Sequence, residues 1–138
     1  MLYTDYSHHA PALAANLAAL REHFPDKKLL AIFQPHQARR VVNGWDTFAD
    51  VLRNFDETII YKLFTAREQL ADFDFETIVD RTPQSFDELG ELFAEHCQGS
   101  YVTNFGAIQA RLSELKSDTV AIIFSAGDID ELVRESLG

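Results

Sequence analysis

The sequence predicts a single α/β domain with a mostly parallel sheet of about five strands. Short apolar runs typical of buried strands alternate with longer segments whose apolar residues recur at helical spacing. Because parallel strands need such connections, the alternation favours βαβ units with right-handed crossovers. Polar side chains gather after the first two runs, which is where open α/β sheets bind ligands. At 138 residues the chain can bury about two-thirds of its unfolded surface as one domain.

Three strands and two helices are predicted in the first half of the chain. Residues 2–6 form a short strand, and apolar residues at helical spacing follow from Ala10 to Phe24. Leu29–Phe33 is a continuous apolar run, which is typical of an inner strand covered on both faces. The spacing of apolar residues indicates a second helix over 45–55, and Thr58–Tyr61 is a third strand.

The second half begins with an irregular stretch, residues 62–80, in which no element is predicted. Ser85 with Glu88 then matches a capping box and marks the start of a helix. The remaining predicted elements, in chain order, are a helix at 86–96, a strand at 101–103, a helix at 104–115, a strand at 119–124 and a helix that opens at Gly127.

Composition and charge exclude several classes of protein. A net charge of −10 argues against a general binder of nucleic acid or membrane surfaces, which would carry a basic stripe. Cys97 is the single cysteine, so we expect a buried thiol and no internal disulfide or cysteine-based metal cage. No apolar run approaches the roughly 20 residues that span a bilayer, and no secretory signal is visible. A cytoplasmic protein is therefore expected.

The first polar cluster is Asp5-Tyr6-Ser7-His8-His9, at the end of the first predicted strand. Asp5 either accepts hydrogen bonds from sugar hydroxyls, as acids do in nucleotide-binding crevices, or is a loop or N-cap acid. His8 and His9 are adjacent, so extended backbone would point them apart. Chelating histidines on a helix are four residues apart, and no metal site is therefore expected.

The second polar cluster is Gln34-Pro35-His36-Gln37-Ala38-Arg39-Arg40, after the second predicted strand. A guanidinium beside an imidazole suits capture of a carboxylate or phosphate, because arginine offers a fixed two-pronged donor. The alternative is a solvated loop. Two adjacent arginines in an acidic protein favour the ligand-binding interpretation, with His36 and Arg40 as its main residues and Arg39 as a secondary candidate.

A third segment, Ser125-Ala126-Gly127-Asp128, lies between the last predicted strand and the final helix. Backbone N–H groups at a helix start bind anions, which makes Ser125 and Gly127 secondary candidates. Asp128 would oppose an anion, so the alternative is a tight strand-to-helix turn. The chain contains no Gly-x-x-x-x-Gly-Lys-Ser/Thr or Gly-x-Gly-x-x-Gly loop and no Gly-x-Ser-x-Gly elbow.

The first two clusters together resemble the C-terminal domain of the Mur ligases, especially of the branch that uses L-alanine. The first resembles the family's Asp-Tyr-(Ala/Gly)-His-His start, and Phe33–Arg40 resembles its Phe-Gln-Pro-His-Arg-Tyr-(Thr/Ser)-Arg. Two weaker matches follow in the expected order. Residues 64–68 resemble Tyr-Pro-Ala-(Gly/Arg)-Glu, and residues 124–129 resemble a Gly-Ala-Gly-Asp-Ile ending. Four segments in one order extend the resemblance over nearly the whole chain.

By that resemblance the fold is a Rossmann-like three-layer domain whose mostly parallel sheet has about five or six strands. Residues 1–138 would be the C-terminal domain of an ATP-dependent amide-forming ligase of peptidoglycan precursor synthesis, with its central ATP-binding and N-terminal UDP-sugar domains absent. The family activates UDP-N-acetylmuramate as an acyl phosphate, which the amine of L-alanine attacks. ATP and Mg²⁺ serve the full-length enzyme. This domain alone would hold neither and would be inactive.

The resemblance also implies roles for individual residues, all of them in positioning and none as a catalytic group or metal ligand. The residues it assigns are Tyr6, His8, His36 and Arg40 to the amino acid, and Asp5 and His9 to the nucleotide. The expected partners are the missing ligase domains, the amino acid and ATP or ADP, with no nucleic acid and no membrane.

The chain departs from the family pattern in both clusters. Gln37 and Ala38 stand where the family has arginine and tyrosine, so one cation and one aromatic wall are missing, and Arg39 would replace part of that charge. Ala10-Pro11 shifts the family's proline by one position. A different amino acid therefore stays open, as do a stand-alone binding or regulatory module and the ligase that recycles murein tripeptide. A flavodoxin-like enzyme or receiver domain is disfavoured, because no clustered acid pair follows the first strand.

Overall fold

A five-stranded, all-parallel sheet forms the centre of the molecule. The structure is a computed structural model that describes residues 2–5, 9–65, 67–124 and 135. The strands are β1 (Leu2–Asp5), β2 (Lys28–Phe33), β3 (Glu57–Tyr61), β4 (Ser100–Val102) and β5 (Thr119–Phe124), in the spatial order β1-β5-β2-β3-β4. The predicted α/β class is confirmed, and each predicted strand is present to within one residue at each end.

The helices follow the predicted order with one addition. Their bounds are α1 (Ala10–His23), α2 (Ala38–Asn43), α3 (Trp45–Leu52), α4 (Phe86–His96) and α5 (Phe105–Ser113). The addition is α2, a short helix that carries the second polar cluster and that the apolar spacing did not indicate. The stretch 62–80 is irregular apart from a 3₁₀ turn at Leu70–Asp72. The final helix predicted from Gly127 lies outside the described residues.

The two faces of the sheet have separate apolar cores. On β2, Leu29 and Phe33 belong to the core shared with α1 to α4, whereas Leu30 and Ile32 belong to the core shared with α5. Alternate residues of a strand point to opposite faces, so a strand covered on both sides is apolar throughout. The structure therefore has the predicted three layers, with the sheet between helices.

The chain order explains which helices cover which face. From β1 to β4 the chain moves across the sheet in one direction, and α1 to α4 pack on one face. From β4 to β5 it moves back, and α5 packs on the other face. Right-handed crossovers require this change of face when the direction reverses. The return places β5 between β1 and β2, where it is fully buried.

Gly44 separates α2 from α3 and allows them to pack closely. A Cβ atom at this position would lie 2.5 Å from the Phe48 ring and 3.0 Å from the carbonyl oxygen of Arg40. Gly44 donates its N–H to that carbonyl at 2.9 Å, which ends α2. Trp45 then begins α3 with its side chain buried. The polar cluster on α2 is therefore held directly against the core.

Ser85 caps the start of α4, but the reciprocal bond of a capping box is replaced by a different one. Ser85 Oγ accepts from the N–H of Glu88 at 3.0 Å, as predicted, but the Glu88 carboxylate accepts from Gln84 rather than from Ser85.

Cys97 at the C-terminal end of α4 is buried, as predicted, and burial raises the pKa of its thiol to about 12. Gln98 follows with φ of 58°, in the left-handed region that favours glycine.

Gln98→Gly is expected to raise the free energy of unfolding by about 1 kcal/mol, because glycine adopts positive φ without a Cβ clash. The matched control is Gln109→Gly at an exposed position inside α5, which is expected to lower it by about 1 kcal/mol. Urea unfolding followed by circular dichroism measures both. Equal losses in the two variants would contradict a strained backbone at Gln98.

Candidate functional site

The carboxyl ends of three neighbouring strands lie level at one edge of the sheet. Asp5 at the end of β1 is in register with Phe124 of β5, and Phe33 at the end of β2 is in register with the same residue. Both polar clusters therefore begin at this edge, as expected for ligand sites in α/β sheets. The backbone of Asp5 is described, and its side chain is not.

Next to this edge is a cleft of about 600 Å³ between the start of α1 and the pair α2 and α3. Its lining includes His9, Pro11, Gln37, Arg39, Arg40 and Thr47, and we call it the arginine cleft. The volume suits a small molecule or part of a larger one. The structure thus brings three predicted residues, His9, Arg39 and Arg40, to a single cavity.

Arg40 contributes a guanidinium to this cleft and joins it to the first polar cluster. Its Nη1 lies 3.4 Å from Nδ1 of His9, which connects the two polar clusters. Its Nε is buried and, among the residues that the structure describes, has no hydrogen-bond partner. A buried donor without an acceptor costs free energy. Because the Nε is buried, a carboxylate or phosphate oxygen in the cleft would reach the Nη groups at the end of the side chain first.

His36 lies at the same edge but outside the lining of the arginine cleft. Its ring stacks on Phe64, with 5.9 Å between ring centroids and 15° between ring planes. Phe64 follows β3 and remains 40% exposed. The pair forms a flat, partly exposed surface beside the cleft.

Gln34 fixes the loop that follows β2. Its side chain is only 3% exposed, and its Nε2 donates to the carbonyl oxygen of Lys62 at 3.2 Å. Its backbone N–H donates to Phe124 O at 3.0 Å, at the end of β5. The N–H of Phe64 donates in turn to Pro35 O at 3.2 Å. The loops after β2 and β3 are therefore joined to each other and to β5.

Tyr101 attaches the loop after β3 to α4. Its hydroxyl donates to Asp87 Oδ1 at 2.8 Å and accepts from the N–H of Leu63 at 3.4 Å. Burial, together with the hydrogen bond to Asp87, raises the pKa of the Tyr101 hydroxyl. The hydroxyl therefore stays protonated at neutral pH and can donate to Asp87 while it holds the loop.

Glu68 is a site residue whose function the sequence did not indicate. Its Oε1 accepts from the N–H of Ala38 at 2.7 Å, and its Oε2 accepts from the N–H of Arg39 at 2.9 Å. A loop residue thus satisfies the first two N–H groups of α2. Glu68 ends the segment 64–68 that resembles the family, but nothing in that pattern relates it to a helix that starts 30 residues earlier.

A larger cleft, about 730 Å³, lies at the opposite edge, where the strands begin. Its Arg111 is paired with both carboxylate oxygens of Glu57, with Nη2 to Oε1 at 2.7 Å and Nε to Oε2 at 2.9 Å. That guanidinium is therefore already neutralised. Neither cleft contains a group of three His, Cys, Asp or Glu side chains placed for a metal ion, within the described residues.

Four predicted site residues lie outside the described residues, namely Tyr6, His8, Ser125 and Gly127. In the part of the chain that is described, no helix is long and apolar enough to cross a membrane.

Two ligases with the same name match much of the sequence. A UDP-N-acetylmuramate–L-alanine ligase from Lactobacillus delbrueckii subsp. bulgaricus is 35% identical over 95 residues, 65% of this chain and 22% of that ligase. The ligase from Hydrogenovibrio crunogenus is 30% identical over 137 residues, 97% of this chain and 28% of that ligase. The chain thus spans about a quarter of the length of these curated relatives. No protein-family model matches it.

Two solved structures have the same fold. The crystal structure of a UDP-N-acetylmuramate–alanine ligase from Thermotoga maritima has a TM-score of 0.64 and 20% identity, over 99% of this chain and 26% of that one. A domain from Haemophilus ducreyi, assigned to a UDP-N-acetylmuramate:L-alanyl-γ-D-glutamyl-meso-diaminopimelate ligase, has a TM-score of 0.56 and 19% identity, over 99% of this chain and 87% of the domain.

Gln34→Glu is expected to lower the free energy of unfolding at pH 7 by about 3 kcal/mol, because it buries a charge against the Lys62 carbonyl. Burial raises the pKa of such a carboxyl, so the folded state takes up the proton first. The destabilisation of Gln34→Glu is therefore expected to become smaller as the pH falls towards about 4.3, the pKa of a glutamate in the unfolded chain. Urea unfolding at pH 7 and pH 4.5 measures it. The exposed control Gln109→Glu should change stability by about 0.5 kcal/mol or less. Equal effects at both positions would contradict the assigned bond.

Proposed function

This chain belongs to the Mur ligase family, as a relative of its C-terminal domain, and we propose that residues 1–138 act as that domain in an ATP-dependent amide-forming ligase. The domain positions L-alanine, or a similar amino acid, for attack on an acyl phosphate of UDP-N-acetylmuramate. This step belongs to peptidoglycan precursor synthesis. The names of the two curated relatives support the proposal, which extends to a cytoplasmic location and to partner domains that bind ATP and the UDP-sugar.

Arg40 is the residue on which the proposal depends. It combines a buried Nε donor that has no acceptor among the described residues with a position in the arginine cleft. An α-carboxylate offers two acceptor oxygens, which a guanidinium binds in a fixed plane. When its carboxylate is held by Arg40, the amino acid can place its amine in only a restricted set of positions. Tyr6 and His8 would border the pocket, and His36 with its stacking partner Phe64 would lie beside it.

The contribution of the domain is positioning. Fixing the amine near its target converts an encounter into a unimolecular step, which lowers the barrier by as much as about 7–11 kcal/mol in well-oriented model reactions. This requires no nucleophile or general base from the described part of the cleft. The loops after β2 and β3 are joined by Gln34 and Phe64, so the residues that bind the substrate are on a fixed support.

ATP and Mg²⁺ are the groups that the family implies. The donors of Arg40 and His9 suit a phosphate oxygen as well as a carboxylate, and Asp5 would accept from the ribose. When bound, ATP supplies the phosphoryl group that activates the carboxylate. Because the described residues contain no group of three metal-ligating side chains, they do not fit Mg²⁺ as a site of their own. A partner domain would hold the ion.

An NMR titration of this chain with L-alanine tests the binding function. We expect shifts at residues 9 and 37–40, and much weaker shifts with L-alaninamide, which lacks the carboxylate. Shifts of equal size with both ligands, or shifts only at the opposite edge of the sheet, would contradict the proposed site.

Activity can be tested in a fusion in which this chain replaces the matching segment of the Hydrogenovibrio crunogenus relative. Arg40→Ala is expected to raise the KM for L-alanine by about 10- to 100-fold, because a charge-assisted hydrogen bond contributes about 1.5–3 kcal/mol. The control Arg81→Ala removes the same charge at a position 62% exposed and should leave the KM unchanged. A fusion that folds without making an amide would favour a stand-alone binding module.

A further inference from the structure

Helix α2, which carries both arginines of the cleft, does not cap its own N-terminus. Its N-cap residue is Gln37, which makes no side-chain capping hydrogen bond. The helix has only six residues, and helices this short are unstable without tertiary contacts. The first turn is therefore stabilised by something outside the helix.

Glu68 supplies that stabilisation. Its two carboxylate oxygens accept from the N–H groups of Ala38 and Arg39, at 2.7 and 2.9 Å. A negative charge at this end also complements the helix dipole. Glu68 is itself held in its loop, because its N–H donates to Thr65 O at 2.9 Å.

The position of Arg40 depends directly on this contact. Arg40 is the third residue of α2 and donates its N–H to Gln37 O at 3.1 Å, so it belongs to the turn that Glu68 holds. Because a carboxylate already occupies the backbone donors at the helix start, an anionic ligand in the cleft must be bound by the arginine side chain instead. Glu68 thus holds the turn that carries Arg40, and it leaves the Arg40 side chain to bind the anion.

We propose that Glu68 is a positioning residue for amino-acid binding, which acts by holding the first turn of α2 so that Arg40 faces the substrate carboxylate. The proposal rests on the function proposed above and adds a residue from the loop after β3 to the determinants of affinity. Glu68 does not contact the substrate itself. Its effect must therefore disappear when Arg40 is absent.

The test uses the complete 138-residue chain and two NMR readouts. The first is the Arg40 Nε–Hε cross-peak, assigned by its loss in Arg40→Lys, which reports the arginine without any ligand. Glu68→Gln is expected to shift this peak and to speed its exchange with water. The second is the Kd for L-alanine, expected to rise about three- to tenfold, the factor that corresponds to a lost cap. In the Arg40→Ala background, Glu68→Gln should add nothing.

Two further variants separate positioning from a general loss of structure. Glu88→Gln makes the same change in a carboxylate that accepts from the N–H of Gln84 near the start of α4, and it should leave both readouts unchanged. Gln37→Ser gives α2 a neutral cap of its own and should restore the Arg40 peak in Glu68→Gln.

Each outcome bears on one of the two proposals. An Arg40 peak that does not move in Glu68→Gln, a failure of Gln37→Ser to restore it, or additive effects of Glu68→Gln and Arg40→Ala on the Kd would overturn the positioning role. No L-alanine binding by the unmodified chain, or an unchanged Kd in Arg40→Ala, would overturn the proposed function. The Arg40 peak would still decide whether Glu68 holds the helix.

Discussion

The position of β5 between β1 and β2 determines the geometry of the candidate site. β5 pairs with β1 over four residues and with β2 over six, and it is buried along its entire length. Neighbouring strands lie about 4.8 Å apart, so β1 and β2 end roughly 10 Å from each other. An arginine side chain spans much of that distance. The contact between Arg40 and His9 is therefore a direct consequence of strand order.

A second constraint is that buried backbone groups must find partners where the strands end. In this protein the partners come from other loops. Gln34 donates to the loop after β3, and Glu68 in that loop accepts from the start of α2. In both bonds the loop after β3 is the acceptor, whereas the N–H of Phe64 donates back to Pro35 O, so each loop fixes the other. The same hydrogen bonds that satisfy these buried groups also hold the loop and helix that lead into the cleft.

Sequence periodicity predicted the elements well because each strand and most helices are defined by local apolar spacing. The strand order was not predictable in this way, since a parallel strand that is apolar throughout fits any central position. Helix α2 was missed because its six residues are too few for a period and its cap comes from Glu68, 30 residues away. The arginines were found because two adjacent cations after a strand are conspicuous in an acidic chain. His36 was predicted from the same cluster, yet it packs on Phe64 beside the cleft rather than in its lining.

The two departures from the family pattern in the second polar cluster, Gln37 and Ala38, have different physical consequences. Gln37 lines the arginine cleft, so the replacement of a cation there changes the charge that a ligand meets. Ala38 is fully buried and contributes its backbone N–H to Glu68, so the small side chain at that position affects packing rather than the surface of the cleft. Under the proposed function, selectivity for the amino acid would therefore depend on Gln37, Arg39 and Arg40. Because Arg39 adjoins Arg40, the cleft keeps two guanidiniums despite the lost cation, and its chemistry stays suited to an anionic group.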